Sequence, residues 1–266
     1  MILLAVPTQK RMLRYGEVSV NDKGVSILCK YDFIVNKTGR AKGAMLLDTN
    51  RGFYLLKQFT GTKRHIEFEE NLLNRISEFE EIYVDNVVRD IEGNIINEDN
   101  DGQKYLLRKW YNAKDMEAKD VMQLIKASGT LGRLHTIINK ITYENIYLNE
   151  CFNISESSRQ LKTEFDKHNR EMKRTRTFIR DKQRKNEFEL LVMSSFDDFY
   201  MDGIEVTNLA KSKNIESFIN SNMELGRIVH GAYNYHNIIM VEDEVGITNF
   251  EHSKCGVQIR DLYDFL

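Results

Sequence analysis

The most restrictive feature of this sequence is the segment HGAYNYHN at residues 230–237, a polar loop between apolar runs. An apolar stretch leads into the loop, and Ile238–Met240 follows it. The segment Ile247–Glu251, with the letters ITNFE, lies one short hairpin later.

The loop and the hairpin resemble the catalytic loop and the metal loop of kinase-like phosphotransferases, the family that includes aminoglycoside and choline phosphotransferases. In that family the loop reads HGD-x-x-x-x-N, and the next strand ends in a D-F-D or D-F-G type triplet. In the protein-kinase version of this chemistry the loop aspartate accepts the substrate's hydroxyl proton, while the asparagine and the triplet aspartate hold magnesium against the phosphates. The resemblance implies an α+β, two-lobed protein-kinase-like fold with an ATP and Mg2+ site.

Two letters of the family pattern are changed in this chain. Ala232 stands at the position of the catalytic base, and a methyl group can neither accept a proton nor orient a hydroxyl. Asn249 stands at the first position of the triplet, where a neutral amide cannot offset the charge of a divalent ion as a carboxylate would. Asn237 keeps the family's metal-ligand position, and Glu251 is a candidate metal ligand because a two-residue shift along a strand returns to the same face. The resemblance gives His230 a structural role.

The N-terminal part of the chain predicts a small antiparallel sheet. Apolar or alternating segments between Gly and Asn turns predict strands at residues 25–29, 42–49 and 53–58. The segment Asn36–Gly39 predicts a turn. In the resemblance, Lys57 takes the place of the strand lysine that pairs with the nucleotide phosphates. Gly39 and Gly43 lie where a phosphate-covering loop belongs, but without its G-x-G-x-x-G pattern.

Apolar residues at helical spacing predict an amphipathic helix from about residue 64 to 79. Glu69 lies on the apolar face of this helix and is expected to point inward. The resemblance makes Glu69 the candidate partner of Lys57 in a nucleotide-binding pair. The alternative interpretation is an exposed lysine at a strand end beside a charged helix face.

The segment Lys104–Trp110 is typical of the last strand before a hinge, and it divides the chain into an N-lobe at 1–110 and a mainly helical C-lobe at 111–266. Helical patterns predict a helix at 120–138 and two long helices between about 155 and 200. Asp261 matches the family's structural D-L pair, which anchors the catalytic loop by hydrogen bonds.

The charge of the chain gives little argument for a nucleic-acid partner. The 266 residues carry a net charge of −2. The segment from Arg159 to Lys185 contains eleven Lys or Arg residues and four Asp or Glu residues. A surplus of this kind without interleaved exposed aromatic residues favours a solvated helix face over a nucleic-acid site.

The sequence predicts a cytoplasmic protein without a membrane partner. The apolar segment Met1–Pro7 lacks the basic region and the full apolar core of a secretion signal, and no later run is long enough to span a bilayer. The three cysteines, Cys29, Cys151 and Cys255, lie far apart and lack metal-ligand spacing, which is typical of reduced thiols.

A closer resemblance covers roughly residues 24–266. A long basic helix, then HGAYNYHN, then ITNFEH, then the ending VQIRDLYDFL is similar to the CotS-type spore coat proteins of endospore-forming bacteria. Those proteins are a kinase-like branch whose active-site letters are often altered. The resemblance implies a mother-cell protein that is deposited on the spore coat beside other coat proteins. Family members continue through further helices after this ending, so we expect a truncated form or a smaller C-lobe.

Two functions follow from these resemblances. The first is a pseudoenzyme that serves as a structural or scaffold component of the spore coat, with weak or absent binding of ATP and Mg2+. The second is an active ATP-dependent phosphotransferase for a small-molecule hydroxyl, with His230 or His236 as a displaced base. General-base catalysis is typically worth about a hundred- to ten-thousand-fold in rate, so its loss favours the first.

Overall fold

The computed structural model describes the backbone of residues 24–144 and 154–266, and the side chains of residues 24–141 and 163–266. These residues form two compact units. Unit 1 contains the described residues up to Ile137 together with His230–Ser253 and Asp261–Leu266, and unit 2 contains the described residues of Ile138–Val229 and Lys254–Arg260. The segment Met1–Pro7 and Cys151 lie outside the described residues.

Unit 1 begins with an antiparallel sheet in the strand order β1-β2-β3-β7-β5, in which β6 also pairs with β7. The strands are β1 Val35–Ala41, β2 Ala44–Thr49, β3 Gly52–Gln58, β5 Val87–Val88, β6 Asn97–Glu98 and β7 Lys104–Trp110. This sheet confirms the antiparallel part of the predicted α+β fold. Leu55 of β3 pairs with Arg108 of β7, and Lys57 pairs with Leu106. Since residues two apart on a strand share a face, Lys57 and Arg108 project from the same side of the sheet.

A second sheet of unit 1 has the order β4-β11-β10-β8, with β4 parallel to β11 and the other pairs antiparallel. Its strands are β4 Tyr83–Val84, β8 Ala113–Asp115, β10 Ile238–Val241 and β11 Glu244–Ile247. The register of the β10–β11 hairpin pairs Ile238 with Ile247. The residues that flank this pair, Asn237 and Thr248, are therefore brought together, and Thr248 N donates to Asn237 O at 2.9 Å.

Helix α1, Lys63–Ser77, lies close to its predicted position. It begins at Thr62, whose hydroxyl accepts a hydrogen bond from His65 N at 3.3 Å, as an N-cap residue does. Its buried face carries Ile66, Leu72, Leu73 and Ile76 at helical spacing, with Glu69 among them. The inward position predicted for Glu69 is confirmed, because the residue is 1% exposed.

Two local predictions for the N-terminal part are wrong. Val25–Lys30 forms a 3₁₀ helix instead of a strand, with Val25, Ile27 and Leu28 buried against the first sheet. A short apolar run fits a buried helical turn as well as a strand, so periodicity cannot separate them. Asn36–Gly39 is not a turn but lies within β1, where pairing with β2 overrides the local preference of these residues.

The remaining helices agree with the predicted helical C-lobe. They are α2 Val121–Glu144, α3 Ile154–Arg180, α4 Glu187–Ala210, α5 Lys213–Glu224 and α6 Ile259–Phe265. Unit 2 also contains a short antiparallel pair of β9, Ile228–Val229, with β12, Lys254–Cys255. Within the described ranges, no helix combines the length and the apolar character needed to cross a membrane.

Candidate functional site

The loop at residues 230–237 is anchored by one buried carboxylate. Asp261 is fully buried and accepts hydrogen bonds from His230 N and Gly231 N, both at 2.8 Å. Its Oδ2 also lies 2.9 Å from His135 Nε2. Gly231 has a φ of 78°, and a Cβ there would lie 2.3 Å from the carbonyl oxygen of His252. Only glycine therefore fits this turn of the loop.

Both ring nitrogens of His230 are occupied within the loop. Nδ1 accepts a hydrogen bond from Ala232 N at 3.2 Å, so Nε2 carries the proton and donates to Thr248 O at 3.1 Å. Burial lowers the pKa of His230 to about 4 although Asp261 opposes this effect. The imidazole is therefore neutral at pH 7, and neither nitrogen is free to accept a substrate proton.

The side chain of Asn237 ties the loop to the segment that follows β11. Its Nδ2 donates to Ala232 O at 2.8 Å, and its Oδ1 accepts from Asn249 Nδ2 at 3.3 Å. The structure thus brings together three of the residues that the sequence singled out. Ala232 contributes only its backbone to this arrangement, as expected for a methyl side chain.

Lys57 reaches from β3 to the segment after β11. Its Nζ lies 2.6 Å from Glu251 Oε1 and donates to Asn249 Oδ1 at 3.2 Å. Asn249 has the left-handed backbone angles φ 68° and ψ 60°, which asparagine tolerates better than most residues. Burial tends to raise the pKa of Glu251, but the hydrogen bond and charge of Lys57 hold that pKa below its ordinary value.

The predicted pairing of Lys57 with Glu69 requires a correction. Glu69 Oε1 lies 2.8 Å from Arg108 Nη1, and both side chains are at most 2% exposed. Arg108 of β7 is buried beside Glu69 and pairs with it, which offsets the cost of burying the carboxylate, whereas Lys57, about one-third exposed, pairs with Glu251. Arg108 was not singled out from the sequence, because Lys109 follows it directly and nothing in the letters of β7 marks it as the buried one of the two.

Asp85 connects this buried pair to the site. Arg108 Nη1 donates to Asp85 O at 3.3 Å and lies 3.6 Å from Asp85 Oδ2. The two carboxylate oxygens of Asp85 accept from Asn249 N at 3.2 and 3.1 Å. Burial raises the pKa of Asp85 to about 6, although the charge of Arg108 opposes it. For Arg108 itself, desolvation lowers the pKa, but the surrounding carboxylates outweigh this effect and raise it.

The hairpin between β1 and β2 reaches the same loop. Lys42 Nζ lies 2.6 Å from Asp115 Oδ1 and donates to His236 O at 2.6 Å. Of the two glycines considered from the sequence, Gly39 lies within β1 and Gly43 at the hairpin tip with a φ of 74°. Lys42 is thus the residue through which the hairpin contacts the loop, and no sequence pattern indicated it.

The oxygen atoms proposed for a divalent cation already accept N–H donors. Asn249 Oδ1 and Glu251 Oε1 both accept from Lys57, and Asn237 Oδ1 accepts from the Asn249 amide. Glu251 supplies one carboxylate, and the Lys57 ammonium neutralises it. Among the described residues, no group of three or more His, Cys, Asp or Glu side chains is placed to hold a metal ion. This donor set fits Mg2+ poorly, because Mg2+ prefers charged oxygen ligands in an octahedral arrangement.

Solved phosphotransferases share this fold. An aminoglycoside phosphotransferase from Alicyclobacillus acidocaldarius matches with a TM-score of 0.73 at 14% sequence identity, over 89% of this chain and 68% of that chain. The chain has the aminoglycoside phosphotransferase fold. A spectinomycin phosphotransferase bound to AMP matches with a TM-score of 0.52 at 15% identity, over 89% of this chain and 71% of that chain. An amicoumacin kinase in complex with AMP-PNP, Ca2+ and Ami has the same TM-score of 0.52 and 15% identity, over 90% of this chain and 66% of that chain.

The chain spans about two thirds of the length of these proteins. No protein-family profile and no curated protein sequence matches it. At such low identity the likeness establishes the fold and confirms the predicted kinase-like architecture. The resemblance to CotS-type proteins stays a prediction.

Proposed function

We propose that the chain is a kinase-like pseudoenzyme that binds a nucleoside phosphate in unit 1 and does not transfer phosphate at an appreciable rate. The observation that carries this proposal is that position 232 of the loop is an alanine, while the other contacts that anchor the loop are present. Asp261 anchors the loop, and His230 and Asn237 tie it to the segment after β11. The loop is therefore maintained without the group that would perform the proton transfer.

Nucleotide binding is the function that the remaining residues support best. Lys57 is about one-third exposed, so its ammonium is accessible to a phosphate. Its partners Asn249 and Glu251 hold it beside the loop. The spectinomycin phosphotransferase and the amicoumacin kinase of the same fold were solved with AMP and AMP-PNP, which supports a nucleotide as the ligand.

The size of the expected rate loss favours a nucleotide-binding protein over an active phosphotransferase. A general base contributes roughly a hundred- to ten-thousand-fold in rate, and a second loss follows from Asn249, where a carboxylate would stabilise charge in the transition state. The alternative function, an active phosphotransferase, needs a displaced base. His230 is neutral with both nitrogens occupied, so the exposed His236 is the histidine of this loop that the alternative must use.

The resemblance to CotS-type proteins supports a scaffold role in the spore coat, with other coat proteins as partners. A scaffold protein needs a stable fold but no catalytic base, so an alanine at position 232 is compatible with this role. The role is tested by following the protein in a sporulating culture. It should be present in purified spores and absent from vegetative cells, and its presence at equal level in vegetative cells would contradict the coat proposal.

The binding proposal is tested by a thermal-shift titration of the purified chain with ATP. We expect the Tm to rise with ATP concentration, because a ligand that binds only the folded state stabilises it. The rise should disappear in Lys57→Ala and persist in Lys37→Ala, which removes an exposed lysine from β1 of the same sheet. The absence of a shift in the unsubstituted chain, or an equal loss in both variants, would contradict nucleotide binding at Lys57.

A further inference from the structure

We propose that the nucleotide site operates without a divalent cation, and that the Lys57 ammonium is its built-in cation for a metal-free nucleoside polyphosphate. This inference rests on the proposed function of the site. The oxygen donors around Asn249 fit Mg2+ poorly, and three further features of unit 1 support binding without a metal ion.

The first feature is the separate anchor of helix α1. Glu69 is paired with Arg108 at 2.8 Å within the buried interior of unit 1. His65 Nε2 also lies 2.7 Å from Glu251 O, which attaches the start of α1 to the segment after β11. Because these contacts hold the helix without Lys57, the lysine is not needed to pair with Glu69.

The second feature is the position that Lys57 takes instead. Its ammonium lies between Glu251 Oε1 and Asn249 Oδ1, at 2.6 and 3.2 Å, where it occupies two of the three oxygens proposed for a metal ion. One carboxylate and one ammonium give this group no net negative charge. A divalent ion beside the ammonium would meet repulsion, whereas the phosphates of a nucleotide would meet attraction.

The third feature is a second cation that stands behind Glu251. Arg108 Nη2 lies 3.9 Å from Glu251 Oε1, and both Nη2 and Nε of this buried guanidinium are without a hydrogen-bond partner. An unsatisfied buried donor is costly and favours any arrangement that satisfies it. When a phosphate draws Lys57 away, Arg108 is therefore placed to balance the charge of Glu251. The site can accept an anion without leaving its carboxylate unpaired.

The inference is tested by titrating the chain with ATP in a calorimeter, once in EDTA and once with excess Mg2+. We expect the Kd in EDTA to be equal to or lower than the Kd in Mg2+, because free ATP carries more negative charge toward Lys57. Asn249→Asp is the informative variant, since it adds a carboxylate at nearly constant shape. In this variant Mg2+ should strengthen ATP binding by about tenfold or more, and Lys37→Ala should behave like the unsubstituted chain.

The possible failures are distinguishable. If the unsubstituted chain loses about tenfold or more of its ATP affinity in EDTA, the site uses a metal and the inference is overturned while the proposed function stands. If Asn249→Asp gains no preference for Mg2+, the neutral amide is not the reason for metal independence and the inference also fails. If ATP binds in neither buffer, the proposed function itself is contradicted.

Discussion

Ala232 and Asn249 are the two residues at which the chain departs from an active phosphotransferase. Replacing both, in the variant Ala232→Asp with Asn249→Asp, returns a base to the loop and a carboxylate to the metal position. We expect this variant to release phosphate from ATP at least about a hundredfold faster than the unsubstituted chain when Mg2+ is present. A phosphate-release assay measures this gain.

The matched control for this prediction is Ala232→Asn with Asn249→Asp. Asparagine adds nearly the same volume as aspartate at position 232 but supplies no base. If both variants bind ATP and release phosphate at the same rate, the missing base is not what limits turnover. Other residues of the site would then also limit the release of phosphate.

His230 makes the stability of unit 1 depend on pH in a defined direction. Its pKa is lowered to about 4 by burial, against an ordinary value of 6.5 in the unfolded chain. Between these values the unfolded state binds more protons, so the contribution of His230 is fully present above pH 6.5 and is lost as the pH falls toward 4. Asp85 acts in the opposite sense, because its raised pKa of about 6 lets the folded state bind more protons than the unfolded state above pH 3.8.

A comparison with His230→Gln isolates the histidine from Asp85. Glutamine does not titrate, so the difference in unfolding free energy between the two proteins reports His230 alone. We expect this difference to shrink by about 2 kcal/mol between pH 7 and pH 5. Urea unfolding at the two pH values measures it. A difference that stays constant would mean that the pKa of His230 is the same in the folded and unfolded states.

At the scale of elements, the buried pair of Glu69 and Arg108 joins helix α1 to the first sheet. Arg108→Met leaves the Glu69 carboxylate buried without its cation, and we expect this to lower the unfolding free energy by about 3–5 kcal/mol. Arg108→Met combined with Glu69→Met should recover much of that loss, because two apolar residues of similar volume replace the pair. Thermal or urea unfolding measures both effects.

The control for this prediction is Lys37→Ala on the exposed face of β1. It should change the unfolding free energy by less than about 0.5 kcal/mol. If Arg108→Met costs no more than this control, Arg108 is not the group that stabilises the buried Glu69 carboxylate.

The elements themselves were largely predictable, and their side-chain partners were not. Helix α1 and strands β3 and β7 have regular apolar periodicity, which sequence alone reveals. The pairing of Glu69 depends on the strand order, which places β7 beside β3 and brings Arg108 to the same face as Lys57. Asp85 was missed for the same reason, because it lies in a connection that becomes part of the site only through the tertiary fold.

The loop at 230–237 was easier to interpret because its spacing reflects a local hairpin. The β10–β11 register brings Asn237 and Asn249 together within a dozen residues of chain. Sequence reasoning therefore placed these residues in one site. It did not foresee that Lys57 would reach the same oxygens, since that contact spans 192 residues along the chain.

At the scale of the whole molecule, the basic surplus of helix α3 is partly offset by the acidic helix α4. Arg176 Nη1 of α3 lies 2.9 Å from Asp197 Oδ1 of α4, and Lys182, which follows α3, pairs with Glu189 of α4. Helices α3 and α4 both belong to unit 2. The basic side chains named here already have acidic partners. These pairs reduce the charge available to a polyanion.

We therefore expect mixed-sequence DNA or RNA to bind no tighter than ordinary non-specific binding, with a Kd of about 10⁻⁴ M or weaker at physiological salt. Fluorescence anisotropy with a labelled oligonucleotide measures this affinity. A much tighter Kd that weakens steeply with added salt would reveal a basic surface that the ion pairs of α3 and α4 do not neutralise.

The proposed pseudoenzyme binds a nucleotide and leaves it intact. Equilibrium dialysis of the purified protein against γ-labelled ATP tests both parts in one measurement, since it reports the bound label and any phosphate released. We expect bound ATP whose label remains on the nucleotide over many hours. Release at the roughly 1–100 per second that is typical of kinases, or no bound label at all, would contradict it.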